Sequence, residues 1–284
     1  MTALPSLADV GELIDTYRAG AAGDTQAAKS CCAAVYGVDL VGVFLGESYH
    51  PGGIELTRRL AGLLDLRPGQ LVLDVASGVG ATAVVLAAEH DVDVVGIDLG
   101  AAQVAKATAR AAAAGLGDGA VFRVGDAEQL PVDDYSFDAV VSECAFCTFP
   151  DKPQAAAEVA RVARPGGRLG LTDVWLRPDR LDPELAGLAG RIACIADARP
   201  IDDTRLLLES AGFRIDHVER HDEALAATVE MVTSRLRAVR LLDLPLLRPF
   251  NIRRAIDVSR RVADVIDRGD AGYFVLTATK RPLP

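Results

Sequence analysis

The sequence lacks any long uncharged apolar run and any excess of basic residues. No stretch among its 284 residues reaches the ~18 apolar positions that a membrane-spanning helix needs. Thirty basic residues stand against forty acidic ones, and the resulting formal net charge of -10 repels a phosphate backbone. We therefore expect neither a membrane nor a nucleic acid as a partner.

Cysteines are few, and their number is odd: Cys31, Cys32, Cys144, Cys147 and Cys194. The N-terminal residues also lack the basic start and continuous apolar segment of an export signal. An odd number of cysteines without such a signal favours reduced thiols over a disulfide framework. We expect a cytoplasmic protein in which any single cysteine is most simply a small buried apolar residue.

Hydrophobic residues make up 50% of the chain, which is enough to bury a core in one or two domains. Short apolar runs rich in branched residues alternate with helical stretches. The runs cover residues 71–75, 92–98, 120–124, 137–142, 168–174, 213–219 and 272–279. This alternation predicts an α/β fold, a doubly wound and mostly parallel seven-stranded sheet with helices on both faces.

Helical patterns also flank this alternation, and they divide the chain into four parts. We expect a helical N-terminal cover over residues 1–66 and the core of the fold over 67–224. A helical insertion is expected over 225–268, before a terminal strand of the core within 269–284. The insertion is longer than a usual connection, so it is either a lid or an added helical cap.

A turn of small residues follows the first predicted strand. The strand contains Asp74, and the turn continues as Ala76-Ser77-Gly78-Val79-Gly80. Small side chains let backbone amides approach a ligand closely, and the helix behind presents its positive end. Asp98 closes the second strand, where a carboxylate can accept both hydroxyls of a ribose. These features alone fit any dinucleotide-binding unit.

Two further features narrow the interpretation. An acid opens the first motif as D-x-A-S-G-x-G, and a third acidic element, GDAEQLP from Gly125, follows the third strand. Together the motifs resemble those of the class I S-adenosylmethionine-dependent methyltransferases, over about residues 60–219 and the final strand. The resemblance implies S-adenosylmethionine as the cofactor. It also implies that the last strand is antiparallel and lies between the fifth and sixth.

The resemblance further implies roles for individual residues. The turn would lie against the methionine moiety, Asp98 would take the ribose hydroxyls, and Asp126 with Ala127 would contact adenine. The family usually has glycine at the position of Ala76, so the methyl group of alanine leaves less space in the turn. The expected cofactor-binding set is Asp74, Ala76, Ser77, Gly78, Gly80, Asp98, Leu99, Asp126, Ala127 and Glu143.

A nicotinamide-dependent enzyme is the competing interpretation of the turn. It would prefer a third glycine in the spacing G-x-G-x-x-G, but Ala83 follows Gly80 at that distance. The sequence also has no Tyr-x-x-x-Lys pair to handle the proton of hydride chemistry. The motifs therefore favour methyl transfer.

The cysteines fall at three places that suggest an acceptor. Cys31 and Cys32 precede the glycine motif, Cys144 follows the fourth strand, and Cys194 comes after the fifth. This pattern resembles that of the arsenite methyltransferases. The resemblance implies that the thiolates of Cys32, Cys144 and Cys194 hold trivalent arsenic with its lone pair facing the methyl group, with Cys31 as helper. Soft thiolates select soft centres, so selenium or tellurium are related possibilities.

Several alternatives stay open at this point. The small-molecule acceptor could instead offer a carbon, oxygen or nitrogen, with Glu143 or His50 as base and with structural cysteines. Cys147 offers a different thiol pairing through C-x-x-C, or a zinc site with Cys144 and the N-terminal pair, although that spacing is poor for zinc. A binding protein that has lost the chemistry is a further possibility. We expect a monomer or a homodimer.

Overall fold

A computed structural model describes residues 29, 42, 44–46, 48–181, 185, 195, 197–242 and 251–282. Its strands are β1 Leu71–Val75, β2 Asp93–Asp98, β3 Ala120–Val124, β4 Phe137–Glu143, β5 Ala163–Leu176, β6 Phe213–Arg220 and β7 Ala271–Lys280. Its helices are α1 Gly53–Leu64, α2 Ala81–His90, α3 Ala101–Ala113, α4 Lys152–Val162, α5 Ile201–Ser210, α6 Asp222–Leu242 and α7 Ile252–Asp267.

The strands form one seven-stranded sheet in the order β3-β2-β1-β4-β5-β7-β6. Strands β1 to β5 pair in parallel, whereas β7 runs antiparallel to both β5 and β6. The predicted sheet and the position of its last strand are confirmed. Chain order reverses between β1 and β4, and ligands of such sheets bind at this switch point, beyond the carboxyl ends of the strands.

Helices cover both faces of the sheet and create two apolar cores. On one face Leu60 and Leu64 of α1 and Val265 of α7 are buried. On the other face Val159 of α4 and Leu208 of α5 are buried. Strand β7 is buried from Ala271 to Ala278 because it lies between two neighbours and under both layers.

Local signals explain where the elements begin and end. Helix α1 follows Gly52, whose φ of 80° suits glycine, and ends at Asp65 before Pro68. Helix α4 begins after Asp151, whose side chain accepts the backbone N–H of Gln154 at 3.0 Å.

The start of β5 differs from the expectation. The apolar run predicts a strand over 168–174, but β5 already begins at Ala163. Ala163 pairs with Phe137, and the next pair, Arg168 with Ala139, is out of step with it. Pro165 lies within this irregularity, where the ladder needs no backbone donor, so proline does not end the strand.

Segment 225–268 holds two helices, α6 and α7, which contact each other and β7. Residues 243–250 of the expected helical insertion lie outside the described residues. Most of the expected N-terminal cover, including 1–28, also lies outside the described residues. In the part of the chain that is described, no helix is both long enough and apolar enough to cross a membrane.

Candidate active site

The turn after β1 forms the floor of the candidate site. Ser77 N–H donates to the carbonyl of Ile97 at 3.1 Å, and Gly80 N–H donates to the carbonyl of Ser77 at 2.9 Å. Ala76, Gly78 and Gly80 have φ values of 59°, 53° and 75°. A Cβ on Gly80 would lie 2.8 Å from the Cβ of Ala107, so glycine is required there. At Ala76, a φ of 59° is a left-handed conformation that glycine would adopt more easily than alanine.

Asp98, at the end of β2, closes the turn from the side. Its Oδ2 accepts Gly78 N–H and its Oδ1 accepts Gly100 N–H, each at 2.8 Å. Burial raises the pKa of this carboxyl, and the two backbone donors oppose the rise. Each oxygen keeps a second lone pair, so the carboxylate can still accept hydroxyl donors from a ligand.

Asp74 is buried at the end of β1 and is 2% exposed. The backbone N–H of Ala83 donates to its carboxylate, while Oδ2 has no hydrogen-bond partner among the described residues. Burial, followed by the nearby charges of Glu143 and Asp98, raises its pKa well above the usual range. A buried carboxylate in these surroundings is costly unless a cation satisfies it.

Glu143, the last residue of β4, is the centre of a buried polar cluster. Its Oε2 accepts the hydroxyls of Thr57 and Thr82 at 2.8 and 2.7 Å. Its Oε1 accepts the hydroxyl of Thr172 at 3.3 Å. His50 is 8% exposed, and its Nε2 lies 3.4 Å from Oε2. The cluster joins α1, α2 and β5 at the carboxyl end of β4.

Two cysteines follow Glu143 on the loop after β4. Cys144 is partly exposed, has a φ of 54° and donates its N–H to the carbonyl of Thr172 at 2.7 Å. Cys147 is buried in a short helical turn, and its N–H donates to Asp173 Oδ2 at 2.6 Å. The structure therefore brings Cys144 next to the cofactor-binding candidate Glu143. Cys31, Cys32 and Cys194 lie outside the described residues.

The third acidic element lies beside β3 at the far end of the candidate site. Asp126 Oδ2 pairs with Lys29 Nζ at 2.7 Å, and Glu128 Oε2 pairs with the same ammonium at 2.5 Å. Ala127 and Leu99 are partly exposed. Lys29 comes from the N-terminal segment.

The sequence analysis missed Lys29 and the three threonines on Glu143. Thr57, Thr82 and Thr172 are scattered in sequence over α1, α2 and β5. No local motif identifies them, because only the folded sheet brings their hydroxyls to one carboxylate. The expected acids were found more easily because each ends a strand or lies just after one.

Comparisons with known proteins identify the family of this chain. A family described as "Methyltransferase domain" matches residues 73–171. The 27-O-demethylrifamycin SV methyltransferase of Amycolatopsis mediterranei is 30% identical over 260 residues, 85% of this chain and 93% of that protein. An arsenite methyltransferase of Halobacterium salinarum is 33% identical over 164 residues, 56% of this chain but 41% of that protein.

Solved structures agree on the fold. Phosphoethanolamine N-methyltransferase 2 of Haemonchus contortus, in complex with phosphomonomethylethanolamine and S-adenosylhomocysteine, superposes with a TM-score of 0.72 at 18% identity. The match covers 88% of this chain and 57% of that chain. The architecture is thus that of class I methyltransferases. The chain belongs to the S-adenosylmethionine-dependent methyltransferases and acts on a small molecule, with S-adenosylmethionine as its cofactor.

The charges of the site fit this cofactor. S-adenosylmethionine carries a sulfonium and an ammonium, both positive, whereas a nicotinamide dinucleotide carries a negative pyrophosphate. Asp74, Asp98 and Glu143 lie at the ends of three strands around the turn, and Asp74 Oδ2 is left without a partner among the described residues. This arrangement of carboxylates attracts the positive groups of S-adenosylmethionine and repels the pyrophosphate of a nicotinamide dinucleotide.

Proposed function

We propose that the methyl acceptor is trivalent arsenic, or a similar thiophilic centre, held by the thiolates of Cys32, Cys144 and Cys194. The observation that carries this proposal is the position of Cys144. It directly follows Glu143 and is fixed to β5 by its N–H bond to Thr172. A thiol therefore directly follows Glu143, one of the candidate cofactor-binding acids, at the edge of the sheet where ligands bind in this architecture.

The proposal assigns a role to each part of the cofactor site. Asp74 accepts the cofactor ammonium, Asp98 accepts the ribose hydroxyls, and Asp126 with Ala127 contacts adenine. The small residues of the turn make room for the methionine moiety. When bound, S-adenosylmethionine supplies an electrophilic methyl group that an acceptor lone pair attacks in line.

The remaining task of the protein is to position the acceptor and to exclude water. Thiolates displace the hydroxyls of arsenite and hold arsenic through As–S bonds, which leaves its lone pair available. Soft thiolates select such a centre over hard ones. The similarity to an arsenite methyltransferase over about half of this chain supports the assignment.

A second candidate acceptor is a hydroxyl group of an organic metabolite. It is favoured by the buried His50, whose Nε2 lies 3.4 Å from Glu143 Oε2 and can act as a base. It is also favoured by the rifamycin relative, of which this chain covers 93%. Under this alternative, replacement of His50 stops the reaction, whereas replacement of the cysteines does not.

The test is a turnover assay of the reduced protein with S-adenosylmethionine, arsenite and a thiol reductant. Methylated arsenic is separated by chromatography and quantified by inductively coupled plasma mass spectrometry. We expect methylated arsenic from the wild type and a rate lowered by ~100-fold or more in Cys144→Ser. Binding of S-adenosylhomocysteine should be unchanged in the variant, which verifies the fold. No methylated arsenic from the wild type, or an undiminished rate in Cys144→Ser, would refute the proposal.

A further inference from the structure

We propose that Cys144 and Cys147 act together as one dithiol that binds the trivalent centre, so that Cys147 is a further specificity-determining ligand. The identification of that centre as the substrate rests on the proposed function above. The existence of the dithiol site rests on the geometry of the β4–α4 loop. Three observations support it.

The first observation is that β5 fixes both cysteines. Cys144 N–H donates to the carbonyl of Thr172, and Cys147 N–H donates to the carboxylate of Asp173, the next residue of β5. Two bonds to consecutive residues of a buried strand hold the loop at both cysteines. The pair is therefore preorganised, which lowers the entropic cost of binding one atom through two side chains.

The second observation is that both thiols pack on the same side of the sheet. Cys147 belongs to the apolar core that includes α1 and α7, and Cys144 packs against that core. Phe146, between them in sequence, belongs instead to the core on the opposite face. The side chains of Cys144 and Cys147 therefore pack on one face of the sheet, and the ring of Phe146 packs on the other.

The third observation is a buried ammonium beside Cys147. Lys152 is 6% exposed, and its Nζ donates to the carbonyl of Phe149 at 2.9 Å. Burial lowers its pKa, and the charges of Cys147, Asp197 and Asp173 act in the opposite direction. Lys152 thus places a cationic side chain close to Cys147, in the kind of surroundings where reactive thiols are found.

Phenylarsine oxide is a suitable probe of this site because it requires two thiols. Each thiol gives its proton to the oxygen of the probe, two As–S bonds form, and one water leaves. Arsenic stays trivalent, so no oxidant or reductant takes part. With arsenite, Cys147 replaces one thiol of the set proposed above, so that only Cys32 or Cys194 is needed for the third As–S bond.

The experiment uses the full chain with Cys31, Cys32 and Cys194 replaced by serine, which leaves only Cys144 and Cys147. We expect a one-to-one adduct with phenylarsine oxide by intact mass spectrometry. Excess glutathione should not remove it, whereas 2,3-dimercaptopropanol should. Both thiols should be protected from N-ethylmaleimide in the adduct, and peptide mapping of the wild type should show the same two thiols protected.

Single replacements of the pair give the decisive comparison. Cys144→Ser and Cys147→Ser, added to this background, should bind the probe ~100-fold more weakly and release it to glutathione. Cys147→Ala replaces the serine variant if a buried hydroxyl disturbs the fold, and binding of S-adenosylhomocysteine verifies each fold. A glutathione-resistant adduct without Cys147, or no such adduct with both thiols present, would overturn the dithiol. A stable dithiol adduct in a protein that never methylates arsenic would refute the proposed function alone.

Discussion

Asp74 illustrates how a single residue can cost stability and serve binding. It is buried at the end of β1, Glu143 and Asp98 are close enough to raise its pKa, and its Oδ2 lacks a partner among the described residues. Without the cofactor its ionisation is therefore unfavourable. The ammonium group of the cofactor, the partner proposed for Asp74, would make ionisation favourable, because the carboxylate would then accept a charge-assisted hydrogen bond.

Replacement of Asp74 by asparagine should separate the cost of the buried carboxylate to stability from its contribution to cofactor binding. A raised pKa in the folded protein gives stability that is present at low pH and is lost as the pH rises through the folded-state value. The cofactor-free variant should therefore exceed the wild type in Tm by an amount that grows as the pH rises above the ordinary pKa of an aspartate, about 3.9. Calorimetry should show S-adenosylhomocysteine binding weakened about tenfold or more.

Two results with this variant would contradict the role and the raised pKa given to Asp74. Equal affinity for S-adenosylhomocysteine in wild type and Asp74→Asn would contradict the role given to the carboxylate. A Tm difference that is independent of pH would contradict the raised pKa. Circular dichroism of both proteins at each pH verifies that the native fold is compared.

At the residue scale, the sequence located the candidate site residues that lie at strand ends. Asp74, Asp98 and Glu143 were identifiable because acids at strand ends meet at one edge of a parallel sheet. The threonines that bind Glu143 were not identifiable, because they pack from three separate elements. Lys29 was missed because a lysine in a helical pattern gives no sign of a distant carboxylate partner.

At the scale of elements, the turn between β1 and α2 is the informative case. Ala76 adopts a φ of 59°, in the left-handed region that glycine adopts more easily than alanine. The left-handed region costs a residue with a Cβ about 1–2 kcal/mol. The turn keeps this conformation because its neighbours, Gly78 and Gly80, are fixed by bonds to Asp98 and Ser77.

Ala76→Gly should therefore stabilise the protein slightly. Relief of the left-handed cost is partly offset by the greater backbone entropy of glycine in the unfolded chain, about 0.5–1 kcal/mol. We expect a small rise in Tm by calorimetry, with unchanged S-adenosylhomocysteine affinity. Ala76→Val is the matched control, and a branched side chain there should lower both Tm and affinity. A lower Tm in Ala76→Gly would show that the turn is not strained.

The start of strand β5 shows what apolar periodicity in the sequence could not predict. Most strand positions followed from apolar runs, but the start of β5 did not, because its proline and glycines lie within an irregularity of the ladder. A proline at such a place gives the same sequence signal as a proline that ends a strand. Pairing partners decide between the two, and they are visible only in the sheet.

At the scale of the whole molecule, the N-terminal segment contacts both the acidic element beside β3 and helix α6. Lys29 pairs with Asp126 and Glu128 beside β3, and Arg235 of α6 donates to the carbonyl of Phe44 at 2.8 Å. We propose that residues 1–66 and the insertion 225–268 flank the acceptor on the core formed by the remaining residues. The sheet order and the cofactor class followed from motif order, whereas these contacts did not.

The central claim joins a cofactor site to a thiophilic acceptor in one molecule. The most direct test is calorimetric titration of the reduced protein, saturated with S-adenosylhomocysteine, with trivalent arsenic, repeated on Cys144→Ser. We expect tight one-to-one binding to the wild type and an affinity reduced by ~100-fold or more in the variant. No binding to the wild type, or equal binding to both proteins, would contradict it and favour an organic acceptor.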